Sequence, residues 1–347
     1  MIERRRHNQG AAANGGSRRV AYYNDDDDVE FFSSGSKTLD LALGGGWAKP
    51  RVANIIGDKS TGKTLLCIEA AANFARQYPT GKIRYRETEG AFQKSYARAL
   101  GMPIERIDFG KERMHTVEDM FEELEYRVEK ARDPELFIVD SLDAMTSRAE
   151  LARAIDAATY RTEKATMMSL TFSRLAGKIE GRDITMMIVN QIRDKVGVQF
   201  GKKYTRGGGH ALDFYASQIV YLQHLGVVTK TINKFTEVIG VEVRAKLEKN
   251  KVGNPFRESQ FELLFNYGIN DVGSCLDYLH KHGDKEKVLN GVAGNTIAAK
   301  EKVFRKLIME HNDGWKTAQA KMHKTVEDRW AAHQKSFLPT KSKYAEE

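Results

Sequence analysis

The stretch Gly57-Asp58-Lys59-Ser60-Thr61-Gly62-Lys63-Thr64 constrains this chain more than any other. It fits the pattern G-x-x-x-x-G-K-[ST], in which glycine-rich backbone wraps a phosphate. The apolar run Val52 to Ile56 precedes it and reads as a buried strand, and the helix-favouring run Leu65 to Arg76 comes after it. A strand feeding a glycine turn that opens a helix aims several backbone N–H groups at an anion. Lys63 adds a full positive charge, and the Thr64 hydroxyl suits a magnesium ion. The segment therefore predicts a nucleoside triphosphate site. It leaves open what the nucleotide is used for.

A chain of 347 residues is long enough for one large domain or two smaller ones with a substantial core. Its 41% hydrophobic and 29% charged residues are ordinary for a globular protein. No apolar run approaches the ~20 residues that span a bilayer, so no membrane association is expected. The basic start, Met1 to Arg6, is followed by no apolar segment, which argues against a secretory leader. Cys67 and Cys275 are the only cysteines; so distant a pair suggests neither a disulfide framework nor a zinc site. A cytoplasmic location is expected. The net charge of +8 suits a polyanionic partner.

Residues 1–30 are expected to be poorly ordered. They run from Arg4, Arg5 and Arg6 through Gly/Ala/Asn-rich sequence to Asp25–Asp28, with little apolar surface to bury. From Phe31 the character changes, and Leu39, Leu41 and Leu43 ahead of Gly44-Gly45-Gly46 suggest a short helix ending in a glycine turn. Strand candidates are Ile83 to Tyr85, Leu136 to Val139, Ile184 to Val189 and Ile219 to Leu222; Val117 to Ala131 and Lys164 to Ala176 read as helices. Apolar strands alternating with helices predict an α/β fold with a mainly parallel central sheet covered by helices. A β-rich stretch, roughly 227–265, closes a core spanning 31–270. Residues 271–347 turn helical and lysine-rich and read as a small, basic, α-rich C-terminal domain and tail.

Three further segments carry chemistry. Leu136-Phe137-Ile138-Val139 leads into Asp140-Ser141, and a carboxylate at a central strand end beside a phosphate loop can accept from a magnesium-bound water. Glu87 and Glu89 come after the strand at Ile83, and either can serve as the base that polarises water. Asn190-Gln191 ends the strand Ile184 to Val189, where an amide can sense a γ-phosphate and move the segment beyond it. That segment, Asp194 to Gly209, holds five glycines, four basic residues and two aromatics. Such a loop can grip phosphates and wedge between bases.

Taken in order, these residues resemble the RecA family of strand-exchange recombinases. The likeness covers roughly residues 33–280: Ser34-Gly35-Ser36-Lys37-Thr38-Leu39-Asp40, the phosphate loop, Glu89 set seven residues before Tyr96-Ala97-Arg98-Ala99-Leu100-Gly101, and Val139-Asp140-Ser141-Leu142. Asn190-Gln191-Ile192-Arg193 and His210 to Ser217 bracket the basic loop, and Lys249-Asn250-Lys251 with Pro255-Phe256 extend the match. The resemblance implies a RecA-like P-loop ATPase core that uses ATP and Mg2+, with Gly57 to Thr64, Tyr96 and Asp140 binding nucleotide. Thr64 and Asp140, the latter through water, would hold the metal. Glu89 rather than Glu87 takes the water-activating position, Tyr96 the adenine-stacking one, and Gln191 that of the γ-phosphate sensor. Lys63 remains the phosphate lysine, and Lys249 and Lys251 match lysines that reach a neighbouring protomer's ATP.

The same likeness implies two DNA-binding loops. One lies near 151–165, with Arg153, Arg161 and Lys164 as its basic residues. The other lies at 194–209, where Arg193, Lys195, Phe200, Lys202, Lys203, Arg206, Gly207 and Gly208 are the candidates. The implied partners are single-stranded and double-stranded DNA, further copies of the chain in a helical filament, and a single-strand-binding protein or mediator. The implied function is a DNA-dependent ATPase for homologous pairing and strand exchange in recombination and repair, in a bacterial cell or a phage-infected host. A ring-forming relative such as a replicative helicase shares the core and is the alternative. Departures from the family pattern point to a divergent, phage-like member. The strand end reads Arg86-Glu87-Thr88 without the usual aspartate, Thr166 and Ser173 replace DNA-contacting arginines, and the C-terminal region lacks a long acidic tail.

Overall fold

A computed structural model of the chain describes residues 29–152, 162–194, 204–206 and 211–339. The chain opens with β1 (Glu30–Phe32), α1 (Lys37–Leu43) and β2 (Trp47–Lys49), then β3 (Val52–Gly57) and α2 (Lys63–Gln77). Next come β4 (Lys82–Glu87), α3 (Lys94–Ala99), β5 (Ile107–Asp108), α4 (Val117–Lys130), β6 (Glu135–Asp140) and α5 (Arg148–Leu151). After α6 (Thr162–Glu180) lie β7 (Ile184–Asp194), β8 (Tyr204–Arg206) and α7 (Ala211–Tyr215). β9 (Gln218–Ile232), β10 (Phe235–Asn250), β11 (Glu258–Leu264) and β12 (Gly268–Ile269) come next, and α8 (Asp271–Lys281), α9 (Lys285–Leu289), α10 (Ile297–Met309) and α11 (Trp315–Ser336) finish the described chain.

The main sheet runs β12-β11-β10-β9-β3-β7-β6-β4-β5, with β8 pairing off β7. The pairs β9/β3, β3/β7, β7/β6, β6/β4 and β4/β5 are parallel; β12/β11, β11/β10 and β10/β9 are antiparallel. The sheet is therefore mixed and mostly parallel, flanked by helices, as the alternation of apolar runs and helical stretches predicts. Neighbouring residues along the central strands face opposite cores, as a pleated strand requires. Ile55, Leu136 and Ile138 pack with Leu66 and Phe74 of α2 on one face, while Ile56, Phe137 and Val139 pack with Phe121 of α4 and Phe172 of α6 on the other.

Local sequence explains the ends of the elements. Ser36 caps α1 by accepting from the Leu39 N–H, and Gly44, at φ 97°, closes it in the left-handed region open to glycine. Thr116 and Asp119 form a reciprocal capping box at the start of α4.

Two strands outrun their apolar cores. β7 continues past Val189 to Asp194 because Ile192, Arg193 and Asp194 pair with Arg206, Thr205 and Tyr204 of β8, so the segment 194–209 is not all loop. β9 continues past Leu222 to Ile232 as one arm of a long hairpin with β10. Its turn is Asn233-Lys234, both at positive φ (49° and 69°), the geometry of a tight two-residue hairpin turn. Partner strands supply the backbone hydrogen bonds that these polar stretches need, and hydrophobic periodicity does not record partners.

The four C-terminal helices enclose their own apolar cluster, built on Leu276, Leu279, Phe304, Ile308, Met322 and Val326, with Leu41 of α1 packed against it. Among the described residues no helix is long and apolar enough to cross a membrane.

Candidate nucleotide-binding site

The phosphate loop leaves the sheet at the carboxyl end of β3. A side chain at Gly57 would stand 2.7 Å from the Leu222 carbonyl oxygen, so only glycine lets the chain turn here. Gly62 precedes α2 at φ 83°, and a Cβ there would overlap Leu263. Thr61 Oγ1 donates to the Asp58 carbonyl at 2.9 Å, bracing the loop. Lys63 Nζ donates to the carbonyls of Gly57 (3.1 Å) and Asp58 (2.5 Å), which lays the ammonium across the loop. Burial pulls the Lys63 ammonium below its ordinary pKa, and the carboxylates of Asp140 and Glu89 pull the other way.

Asp140 ends β6 and is buried. Tyr85 donates to its Oδ2 at 2.7 Å, and the Thr64 side chain acts with it to favour the carboxylate. Burial raises the Asp140 carboxyl above the ordinary value, and Glu89 and Glu87 add to the rise. A divalent cation would reverse that balance by favouring the carboxylate. Thr64 and Asp140 offer only oxygen donors, which fits magnesium.

The structure separates the two glutamates that the sequence left as alternatives. Glu87 Oε1 accepts from the backbone N–H groups of Glu89 (2.9 Å), Gly90 (2.5 Å) and Ala91 (3.1 Å). That carboxylate is engaged in holding the turn after β4. Glu89 Oε1 instead accepts from Ser141 Oγ at 2.5 Å and Gln191 Nε2 at 2.9 Å. Register explains the meeting: Gly57 pairs with Gln191, and Glu87 with Asp140. Strand order thus gathers the phosphate loop, Asp140, Glu89 and Gln191 at one edge of the sheet.

Lys249 lies elsewhere. In register it faces Ile219, which pairs with Asn54, whereas Gly57 is matched to Leu222. At about 3.3 Å per residue, the lysine sits some 10 Å back along the strands from the loop. Its Nζ donates to the carbonyls of Asp213 (2.6 Å) and Phe214 (2.7 Å) at the end of α7, while Lys251 Nζ is 5.9 Å from the Phe214 ring centroid. Tyr96 is half-buried on α3, against the core cluster that includes Leu65 and Leu66, with its hydroxyl at the Asn266 backbone.

Of the DNA-loop candidates, Arg193 lies on β7 paired with Thr205, and Arg206 on β8 paired with Ile192. Lys164 Nζ donates to the carbonyls of Leu142 (2.5 Å) and Met145 (2.8 Å), after β6. Arg153, Arg161, Lys195, Phe200, Lys202, Lys203, Gly207 and Gly208 lie outside the described residues. Sequence reasoning gave no role to Tyr85, Ser141 or Asp143. Asp143 Oδ2 accepts from the Gln191 N–H at 2.5 Å, fixing the residue that contacts Glu89. The only early signal was adjacency: Ser141 and Asp143 stand just beyond Asp140.

A mostly parallel sheet with a glycine-wrapped loop at a strand end, an acidic residue ending the strand β6, and helices on both faces defines a P-loop α/β core of RecA-like architecture. The family model of the RecA N-terminal domain matches residues 13–270. Protein RecA of Synechococcus sp. (strain CC9902) is 34% identical over 260 residues, 74% of this chain and 65% of that protein. Protein RecA of Trichodesmium erythraeum (strain IMS101) is 35% identical over 254 residues, 72% of this chain and 66% of that protein. The chain belongs to the RecA family, and spans about two thirds of the length of the curated relatives it matches.

Proposed function

We propose that the chain is a DNA-dependent ATPase that assembles on single-stranded DNA and promotes homologous pairing and strand exchange with a duplex. The observation that carries this reading is the 2.9 Å bond from Gln191 Nε2 to Glu89 Oε1. It joins the carboxylate that would orient water to the strand that runs on into the segment 194–209. ATP would lie on the loop Gly57–Thr64 with Lys63 on its phosphates. Magnesium, held by Thr64 and through water by Asp140, would neutralise phosphate charge. Glu89 would take the proton side of the attacking water.

A γ-phosphate between Glu89 and Gln191 would replace their mutual bond, so nucleotide state would reposition β7 and the DNA loop beyond it. Lys249 and Lys251 would complete a neighbouring protomer's site, which their distance from this chain's own loop supports. On this reading the protein works in the cytoplasm, with a single-strand-binding protein or mediator as a further partner.

The test pairs ATP hydrolysis, measured with and without single-stranded DNA, with electron microscopy of the same samples. Stimulation by DNA together with helical filaments is expected. Hydrolysis indifferent to DNA, in a protein that forms no filaments, would sink the proposal.

A further inference from the structure

Among the described residues outside the nucleotide edge, one cluster of metal-ligating side chains stands apart, at the corner where α1, α8 and α11 meet. Asp271 and Cys275 are four residues apart on α8, so one helical turn stacks them on the same face. His323 reaches them from α11: its Nε2 lies 2.6 Å from Asp271 Oδ2, and Cys275 Sγ lies 3.6 Å from Asp271 Oδ1. The three ligand atoms all lie within 4.8 Å of one another.

We propose that Asp271, Cys275 and His323 bind a zinc ion that clamps α8 to α11. The donor set of one sulfur, one imidazole nitrogen and one carboxylate oxygen is that of tetrahedral zinc rather than of magnesium or calcium. Zinc bond lengths of about 2.0–2.3 Å place tetrahedral donors roughly 3.3–3.8 Å apart, so shifts of about 1 Å in these side chains would form the site. The His323–Asp271 contact opens slightly, the sulfur draws in, and water fills the fourth position from the side of His323, which is more exposed than Asp271 or the buried Cys275. As the sulfur–zinc bond forms, the thiol gives its proton to solvent.

A second layer of contacts orients the ligands. The Lys37 backbone N–H donates to Asp271 Oδ1 at 2.6 Å, which aims the carboxylate and ties α1 to the clamp. The Lys37 ammonium pairs with Glu327, one turn along α11 from His323. The clamp would hold the C-terminal helices to each other and, through Lys37, to the core. Cysteine spacing alone argues against zinc. The imidazole that changes this belongs to His323, 52 positions from Asp271 in sequence and brought to it by the packing of α11 on α8.

Zinc content and cobalt(II) titration of the full-length protein test the idea. One equivalent of zinc should survive desalting, and cobalt should give the near-ultraviolet absorption of a sulfur-to-cobalt transition. Cys275→Ser should abolish that absorption, and both Cys275→Ser and His323→Gln should weaken zinc binding more than about tenfold. The oxygen donors of Thr64 and Asp140 give no sulfur band, so metal at the nucleotide edge is told apart. Sub-stoichiometric zinc in the native chain, or a cobalt band unchanged in the His323→Gln variant, overturns the proposal and leaves a hydrogen-bonded lock. Should a variant fail to fold, absence of the band in the native chain decides against the site on its own.

Discussion

From β3 to β5 the sheet is parallel and sandwiched between α2 on one face and α4 and α6 on the other, whereas from β9 to β12 it is antiparallel, with a ribbon that stands in solvent. The parallel half brings strand ends together at one edge, where Gly57, Asp140 and Gln191 become neighbours. The antiparallel half presents Lys249 and Lys251 toward the other edge and exposes Phe235 (78%) and Ile232 (57%) near the hairpin tip. One half therefore gathers the phosphate loop, Asp140, Glu89 and Gln191 at a single edge. On the proposed reading, the other would supply groups to a second protomer's site, and hydrolysis would then depend on assembly.

Substitutions in the parallel half should have the largest effects. Glu89→Gln should slow steady-state ATP hydrolysis by about 10²–10⁴-fold while nucleotide binding, read by calorimetry, persists. Glu87→Gln is the matching control. Its remaining oxygen can still accept from the three backbone N–H groups of the turn, so hydrolysis should stay within about tenfold of native. Equal losses in the two variants would erase the distinction between the glutamates.

Lys249→Ala should remove DNA-stimulated hydrolysis as well, with one difference. Mixed with Glu89→Gln protein, it should regain activity, because the junction between the two variants restores one intact pair of Glu89 and Lys249. No recovery on mixing would place Lys249 in its own chain's chemistry and break the comparison.

A smaller effect concerns stability against pH. Burial raises the Asp40 carboxyl to about 6 and the Glu69 carboxyl to about 7. Both keep their protons in the folded chain where the unfolded chain has lost them. The unfolded state then binds fewer protons, and stability falls as pH rises from about 4 to about 7. Glu69 accepts from the Ile269 N–H at 3.1 Å, a bond a glutamine oxygen can also accept. Glu69→Gln should therefore remove up to about 3 kcal/mol of that slope in denaturant melts at several pH values. Least of all, Phe235→Ser at the ribbon tip should change stability by under about 0.5 kcal/mol, since its ring touches mostly solvent.

The phosphate loop, the acidic end of β6 and the alternation of buried strands with helices were legible in the sequence because each is local. A glycine where no Cβ fits, an apolar run of strand length and a capping residue all act within a few positions. Position alone did not decide between Glu87 and Glu89, two residues apart on one strand end; the family resemblance favoured Glu89, and the turn that engages Glu87 supports that choice. Nor was β8 legible, since a polar strand is recognised by its partner rather than by its own pattern. Ser141, Asp143 and Gln191 meet Glu89 or one another only because β6 and β7 lie side by side. The sequence by itself determined that a phosphate-loop motif stands at the end of a buried strand. The order and register of the strands, which depend on residues far apart along the chain packing together, decided that Glu89 rather than Glu87 meets Ser141 and Gln191 beside that loop.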